Sequence, residues 1–214
     1  MTVTHSANPA PAPTGSSARL GRAVGWLLVL GGATGFVAAF VLTVEKLQKL
    51  ANPNYVPSCS LNPIVSCGSV MDSVQAAVFG FPNPLIGVAA FPVVITAGVV
   101  LLAGFQAPRW FWLGLQLGTT LGVVFVHWLI FQSLYSIKAL CPYCMVVWAV
   151  TIPIFWYTTL HNLERGHLRA GGPPASAGRP ATLIRFHSLV LVLWYLLIVV
   201  LILQAFWAFW TSLV

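Results

Sequence analysis

The chain has 214 residues, of which 58% are hydrophobic and only 6% are charged. A soluble domain carries about a quarter charged residues, so charge this sparse excludes a water-facing shell and leaves an integral membrane protein. The net charge of +7 does not make it a nucleic-acid binder, because the basic residues are scattered among short connections instead of forming one face.

Residues 1–20 are rich in Ala, Pro, Ser and Thr, lack apolar periodicity, and read as a disordered tail. The first apolar run, 22–44, is too long for a secretory signal and has no cleavage site ahead of a soluble domain. Further runs follow at 84–105, 110–134, 141–161 and 186–211. Each is long enough to cross a hydrocarbon core of about 30 Å at about 1.5 Å per residue. Five spans result: an all-α bundle of the first four with the fifth at its periphery. Gly31 and Gly35, and Gly114, Gly118 and Gly122, repeat at four-residue spacing and predict close helix contacts. His127 in the third span reads as an interhelical packing residue. His161 and His167 read as solvated groups of the linker side, and 162–185, with its Gly and Pro residues, as a flexible linker.

Orientation follows from the cations. Arg19, Arg22, Arg109, Arg165, Arg169, Arg179 and Arg185 fall on one side of the five spans, and Lys46, Lys49 and Lys138 on the other. The arginine-rich side is predicted to be cytoplasmic. All four cysteines then lie at the outer face, where disulfides persist.

Between the first two spans, the loop 45–83 carries Cys59 and Cys67, and its length suggests function. Pro53, Pro57 and Pro63 predict a stiff, exposed segment. Val70, Val74, Ala77 and Val78 have helical spacing, which predicts a short amphipathic helix over 68–79 lying on the bundle. Glu45, Lys46 and Lys49 mark the outer end of the first span, and Asp72 caps or solvates the short helix.

Cys141-Pro142-Tyr143-Cys144 opens the fourth span. Unpaired N–H groups and the helix dipole stabilise a thiolate at such a position, and Pro142 suits the first turn. Competing uses are a zinc half-site, which needs four ligands in a closed tetrahedron, and an inert structural disulfide. A redox pair accounts best for a CxxC beside a second dithiol at an oxidising surface. Two pairs make a two-electron relay by thiol–disulfide exchange, and a lipid-soluble quinone is an acceptor that reaches the same membrane level. Glu45, Asp72 and Glu164 are the only acidic residues, so the chemistry rests on sulfur. A quinone reductase that uses thiols only as its electron source, and a non-catalytic protein with two structural disulfides, are the alternative readings.

Cys59-x7-Cys67, Ser73 six residues on, Asn83, Gly87 and Cys141-x-x-Cys144 together resemble the vitamin K epoxide reductase family, in particular its bacterial members that make disulfides. The resemblance covers 20–161. It implies a multi-pass enzyme of a bacterial cytoplasmic membrane, with its active site on the extracytoplasmic face, that oxidises a thioredoxin-fold (DsbA-like) partner and reduces a quinone of the menaquinone or ubiquinone type. The same resemblance implies that Cys59 meets the partner, that Cys67 pairs with Cys141, and that Cys144 lies against the quinone ring. Ser73 matches an active-site position and Asn83 one that hydrogen-bonds a quinone carbonyl. Four residues beyond the second cysteine of the CxxC, where the family often has tyrosine, stands Trp148, able to stack on a ring but without the phenol. Met71 and Met145 suit the pocket wall and core packing equally, and Met145 is expected among the quinone-binding residues. The chain shows no thioredoxin domain, so the partner is expected to be a separate protein; no metal is expected.

Overall fold

The computed structural model describes residues 15–62, 64–168 and 186–211. Most of the tail expected at 1–20, Pro63 and most of the expected linker (169–185) therefore lie outside the described residues. Helix α1 spans Gly15–Ala51 and α2 spans Cys67–Met71; a 3-10 turn over Val74–Ala77 follows. Then come α3 (Pro84–Leu102), α4 (Arg109–Phe131, prolonged by a π-helical turn over Gln132–Ile137), α5 (Pro142–Glu164), α6 (His187–Ala205) and the short α7 (Trp207–Thr211). Five helices are long and apolar enough to cross a membrane, and among the described residues no strand forms. The protein is an all-α membrane protein.

Two boundaries differ from the sequence reading. Helix α1 starts at Gly15 and runs on to Ala51, carrying Glu45, Lys46 and Lys49 beyond the apolar run. Nothing in 45–51 breaks a helix, and polar side chains at its end find partners in the loop. At the other end of the bundle, α5 continues to Glu164, into the stretch expected to be linker. His161 is thus neither solvated nor in a loop. It is 2% exposed, and its ring lies 4.5 Å from that of Trp112.

The core is organised around α1, which packs along α3 and α5, while α4 packs on α5; α3 and α4 barely touch. The α1–α3 contact depends on glycine. A Cβ on Gly98 would stand 2.8 Å from the Gly25 carbonyl oxygen, so the two backbones meet directly there. Gly31 and Gly35 also serve packing, against Ile154 and Phe91. Gly114 and Gly118 do not: apart from their own stretch of helix, no atom lies within 4 Å of where their Cβ would be. A Cβ on Gly122 would meet Thr151 of α5 at 3.6 Å, but at Gly114 and Gly118 the expected close contact is replaced by open space between α3 and α4. Four-residue spacing of small residues permits close approach, but it does not say whether a neighbour uses it.

Helix α6 lies at the periphery, against α4 and α5. The Trp194 indole donates to His127 Nε2 at 2.9 Å, and the Tyr195 hydroxyl donates to the Ala149 carbonyl at 2.6 Å. Leu193, Leu196, Leu197 and Val200 face outward, half exposed or more. His127 also places Nδ1 2.7 Å from the Val123 carbonyl, as suits a packing histidine.

The single amphipathic helix expected over 68–79 is two pieces. Ser73 adopts an extended conformation, and its hydroxyl donates to the Val70 carbonyl at 2.7 Å, which ends the first piece. Short polar side chains compete with helix hydrogen bonds in this way. Val74 is 88% exposed, so the apolar positions of this segment do not share one buried face.

Candidate functional site

The two cysteine pairs meet because the loop and the start of α5 are stitched together by backbone. Val65 and Leu140 form an isolated parallel bridge: Leu140 N donates to the Ile64 carbonyl at 2.7 Å and Ser66 N to the Leu140 carbonyl at 2.9 Å. Cys67 and Cys141 each follow that bridge within two residues. Their sulfurs consequently lie 3.2 Å apart, and the residues are 0% and 1% exposed.

Cys59 and Cys67 are joined by a disulfide, with Cα atoms 5.5 Å apart, while Cys141 and Cys144 are free. One state thus holds the loop disulfide and a reduced CxxC in contact. Cys59 is only 7% exposed, although the proline-rich segment around it reads as open in sequence. It packs with Leu42, Cys67, Met71 and Cys141 in one small cluster.

Cys141 is the N-cap of α5 and Pro142 its first residue. The cap acceptor is the thiol itself, because Cys144 N donates to Cys141 Sγ at 3.4 Å. Cys141 precedes the membrane-spanning helix. The hydrogen bond with the Cys144 side chain holds the Cys141 thiol below its ordinary value. Burial opposes this, and the amides of Cys144 and Tyr143 add to it. A thiolate at Cys141 is the favoured anion of the pair.

Behind the CxxC, the gap between α3 and α4 forms a cavity of about 570 Å³. Cys141, Cys144, Ser73, Asn83 and Trp148 all line it, and it continues down the bundle past Gly118 and Gly114 to Phe111. Polar groups in the wall are few, and most are already used. The Ser73 hydroxyl donates to Val70, leaving only lone pairs. Asn83 Nδ2 donates to the Gln75 carbonyl at 2.7 Å and its Oδ1 accepts from Val78 N at 3.2 Å, so one amide hydrogen remains available. Trp148 is 4% exposed and its Nε1–H has no acceptor. A buried donor without a partner costs about 1–3 kcal/mol, and Trp148 carries one in a wall that is otherwise mostly apolar. Trp148 thus holds an unpaired donor as well as the ring that the sequence offered as a stacking surface.

Met145, expected in the pocket wall, is not among the residues that line this cavity. It packs in the cluster containing Val123, Ile130, Ile152 and Ile198, beside Cys144 but toward α6. One helical step of about 100° carries residue 145 away from the wall that 144 and 148 share. Met71 does line it.

Sequence reasoning missed the set of contacts at the end of α1. Lys46 Nζ donates to the Met71 carbonyl at 2.7 Å, and Lys49 Nζ pairs with Asp72 at 2.6 Å. Glu45, 6% exposed, accepts from the Tyr55 hydroxyl at 3.0 Å and from the Ser58 hydroxyl at 2.6 Å. Their cluster at i, i+1 and i+4 was visible; their targets lie across the loop and were not.

A search of curated proteins returned no match. The family model of the vitamin K epoxide reductase family matches residues 26–159, a stretch that contains both cysteine pairs and most of the first four spans. With five membrane-length helices and two cysteine pairs in contact behind an apolar cavity, the chain belongs to the vitamin K epoxide reductase family of membrane thiol oxidoreductases.

Proposed function

We propose that the protein oxidises a separate extracytoplasmic thioredoxin-fold (DsbA-like) dithiol and reduces a membrane quinone, and so supports disulfide formation in secreted proteins. The observation that carries this reading is the 3.2 Å approach of Cys67 and Cys141 sulfurs, with Cys144 lining an apolar cavity.

The partner's thiolate attacks Cys59, the Cys59–Cys67 bond breaks, and Cys67 leaves as thiolate. The partner's second thiol resolves the mixed disulfide, departing oxidised and leaving Cys59 reduced. Cys67 then attacks Cys141 in an oxidised Cys141–Cys144 pair and releases the Cys144 thiolate. Cys59 attacks Cys67, restores the loop disulfide and frees Cys141. The arrangement with a loop disulfide and reduced CxxC is the product of that last exchange.

A quinone supplies an acceptor for two electrons and two protons. The unpartnered Trp148 Nε1–H and the remaining Asn83 amide hydrogen are the donors for its carbonyl oxygens; Ser73 stands beside them as an acceptor, and the apolar wall excludes water. Four bundle helices (21–161) form the catalytic unit. The arginine bias supports an orientation with its cysteine end outside the cytoplasm; the membrane is a bacterial inner membrane, and α6 is an accessory span.

The test is turnover of purified protein with reduced DsbA-like protein and menaquinone in detergent. Quinone-dependent oxidation of that dithiol is expected, and Cys144→Ser abolishes it while Cys67–Cys141 becomes trappable. A wild-type protein that reduces quinone without oxidising the thioredoxin-fold dithiol defeats the proposal.

A further inference from the structure

The end of α1 grips the cysteine loop at two places with opposite chemistry. On the Cys59 side the grip is acidic. The Glu45 carboxylate is buried and held by neutral donors alone: the Tyr55 hydroxyl, the Ser58 hydroxyl, and Ser58 N at 3.3 and 3.4 Å. Burying a carboxylate without a cation is unfavourable unless its lone pairs are met, and here four contacts meet them. Ser58 immediately precedes Cys59, so the carboxylate fixes the backbone that carries the sulfur the partner must reach.

On the Cys67 side the grip is basic. Lys46 binds the last carbonyl of α2, at Met71, and Lys49 reaches the Gly68 carbonyl at 3.4 Å and the Asp72 carboxylate at 2.6 Å. These are the residues that close the short helix beginning at Cys67. The lysines therefore set the height and rotation of α2 relative to Cys141. Lys49 is 16% exposed and Asp72 61%, so the exposed ion pair adds little by itself; the carbonyl contacts do the positioning.

We propose that Glu45 is a positioning residue for exchange at Cys59 with the partner, and Lys46 and Lys49 are positioning residues for transfer from Cys67 to Cys141. This rests on the relay proposed above and divides it into two steps controlled from one helix end. The two sulfurs of the loop disulfide are then separately tuned, one for an external encounter and one for an internal one.

Two assays separate the steps. For the first, Cys67→Ser leaves Cys59 as the loop thiol. The probe is thioredoxin whose second CxxC cysteine is serine and whose first carries thionitrobenzoate. Cys59 thiolate attacks the probe sulfur, forms the mixed disulfide and expels the coloured thionitrobenzoate anion. For the second, Cys144→Ser removes the competing thiol. Cys141 thiolate then attacks Cys67, forms Cys67–Cys141 and releases Cys59 thiolate for capture by a maleimide.

Glu45→Gln keeps one carbonyl-type acceptor and loses the other, and is expected to slow the first assay about tenfold, the worth of a hydrogen bond to a charged group, while leaving the second unchanged. Tyr55→Phe with Ser58→Ala, which removes the donors and keeps the carboxylate, gives the same pattern. Lys46→Met with Lys49→Met does the reverse, lowering the second by about tenfold on the same basis, and Lys46→Arg with Lys49→Arg restores it. Equal loss in both assays marks general disruption of the loop and overturns the division, as does no loss in either. If the parent Cys67→Ser and Cys144→Ser proteins react in neither assay, the relay itself fails, a result separate from failure of the variants.

Discussion

Replacing Trp148 by phenylalanine tests the cavity most directly. The indole is 4% exposed and its N–H lacks an acceptor. An orphaned buried donor costs about 1–3 kcal/mol, and a ligand carbonyl that accepts from it recovers that amount on binding. Phenylalanine keeps a ring in the wall and removes the donor. Its loss in quinone affinity is therefore about 1–3 kcal/mol, centred near thirtyfold in Kd or in KM where the two coincide. The unliganded protein behaves in the opposite sense: the smaller ring leaves a void, but relief of the orphan donor offsets it, so the melting temperature without quinone changes little. Steady-state kinetics with quinone varied at saturating dithiol, together with melts in detergent with and without quinone, read both effects. Trp148→Tyr retains a donor and should stay near wild type. An unchanged quinone KM in Trp148→Phe, or a KM shift in the dithiol instead, would refute the assignment.

The open stripe on α4 makes Gly118→Leu informative. Nothing lies within 4 Å of the new Cβ, so the fold should hold while the side chain fills the cavity and raises quinone KM; a lower melting temperature with an unaltered KM contradicts this. Gly98→Ala should do the reverse, because its Cβ meets the Gly25 backbone oxygen at 2.8 Å. It is expected to cost about 1–3 kcal/mol as overpacking, read as earlier unfolding, and wild-type stability would refute the direct α1–α3 backbone contact. For Cys141 the sign is set by a thiol held below its usual value, first by the Cys144 side chain. In Cys67→Ser, alkylation of Cys141 followed by mass spectrometry should persist to lower pH than for an ordinary thiol, and adding Cys144→Ala should move the midpoint upward. A midpoint that falls or stays put on removing Cys144 rejects the stated cause.

The bundle was legible because each span is a continuous apolar run, and the cysteines were legible because CxxC at a helix start has a local physical consequence. The sequence reading stopped where the answer depends on what lies opposite. Gly35 and Gly118 have the same spacing pattern, yet one packs on Phe91 and the other faces empty space. His161 follows an apolar run and looks terminal, but α5 keeps turning and seats it against Trp112. Met145 and Trp148 are both apolar and close to Cys144, and only the helical angle takes Trp148 to the cavity wall and Met145 to the packing against α6. Glu45 carries no local sign that its partners are Tyr55 and Ser58, since the loop between must first fold back.

The contact between the two cysteine pairs also depends on how α4 ends. Its last turn widens to a π-helical turn over Gln132–Ile137, and Lys138 follows with φ 55° and ψ 40°, a left-handed conformation unusual outside glycine. Reversing the chain within so few residues leaves Leu140 extended and unpaired by any helix, which frees its N–H and carbonyl for Ile64 and Ser66. An α-helix prolonged through Leu140 would turn those groups inward and remove the bridge. The irregular turn thus has a direct chemical consequence: it converts the start of α5 into a short edge on which the loop can pair, and that pairing sets Cys67 against Cys141. Sulfur proximity here follows from backbone geometry outside both cysteine motifs.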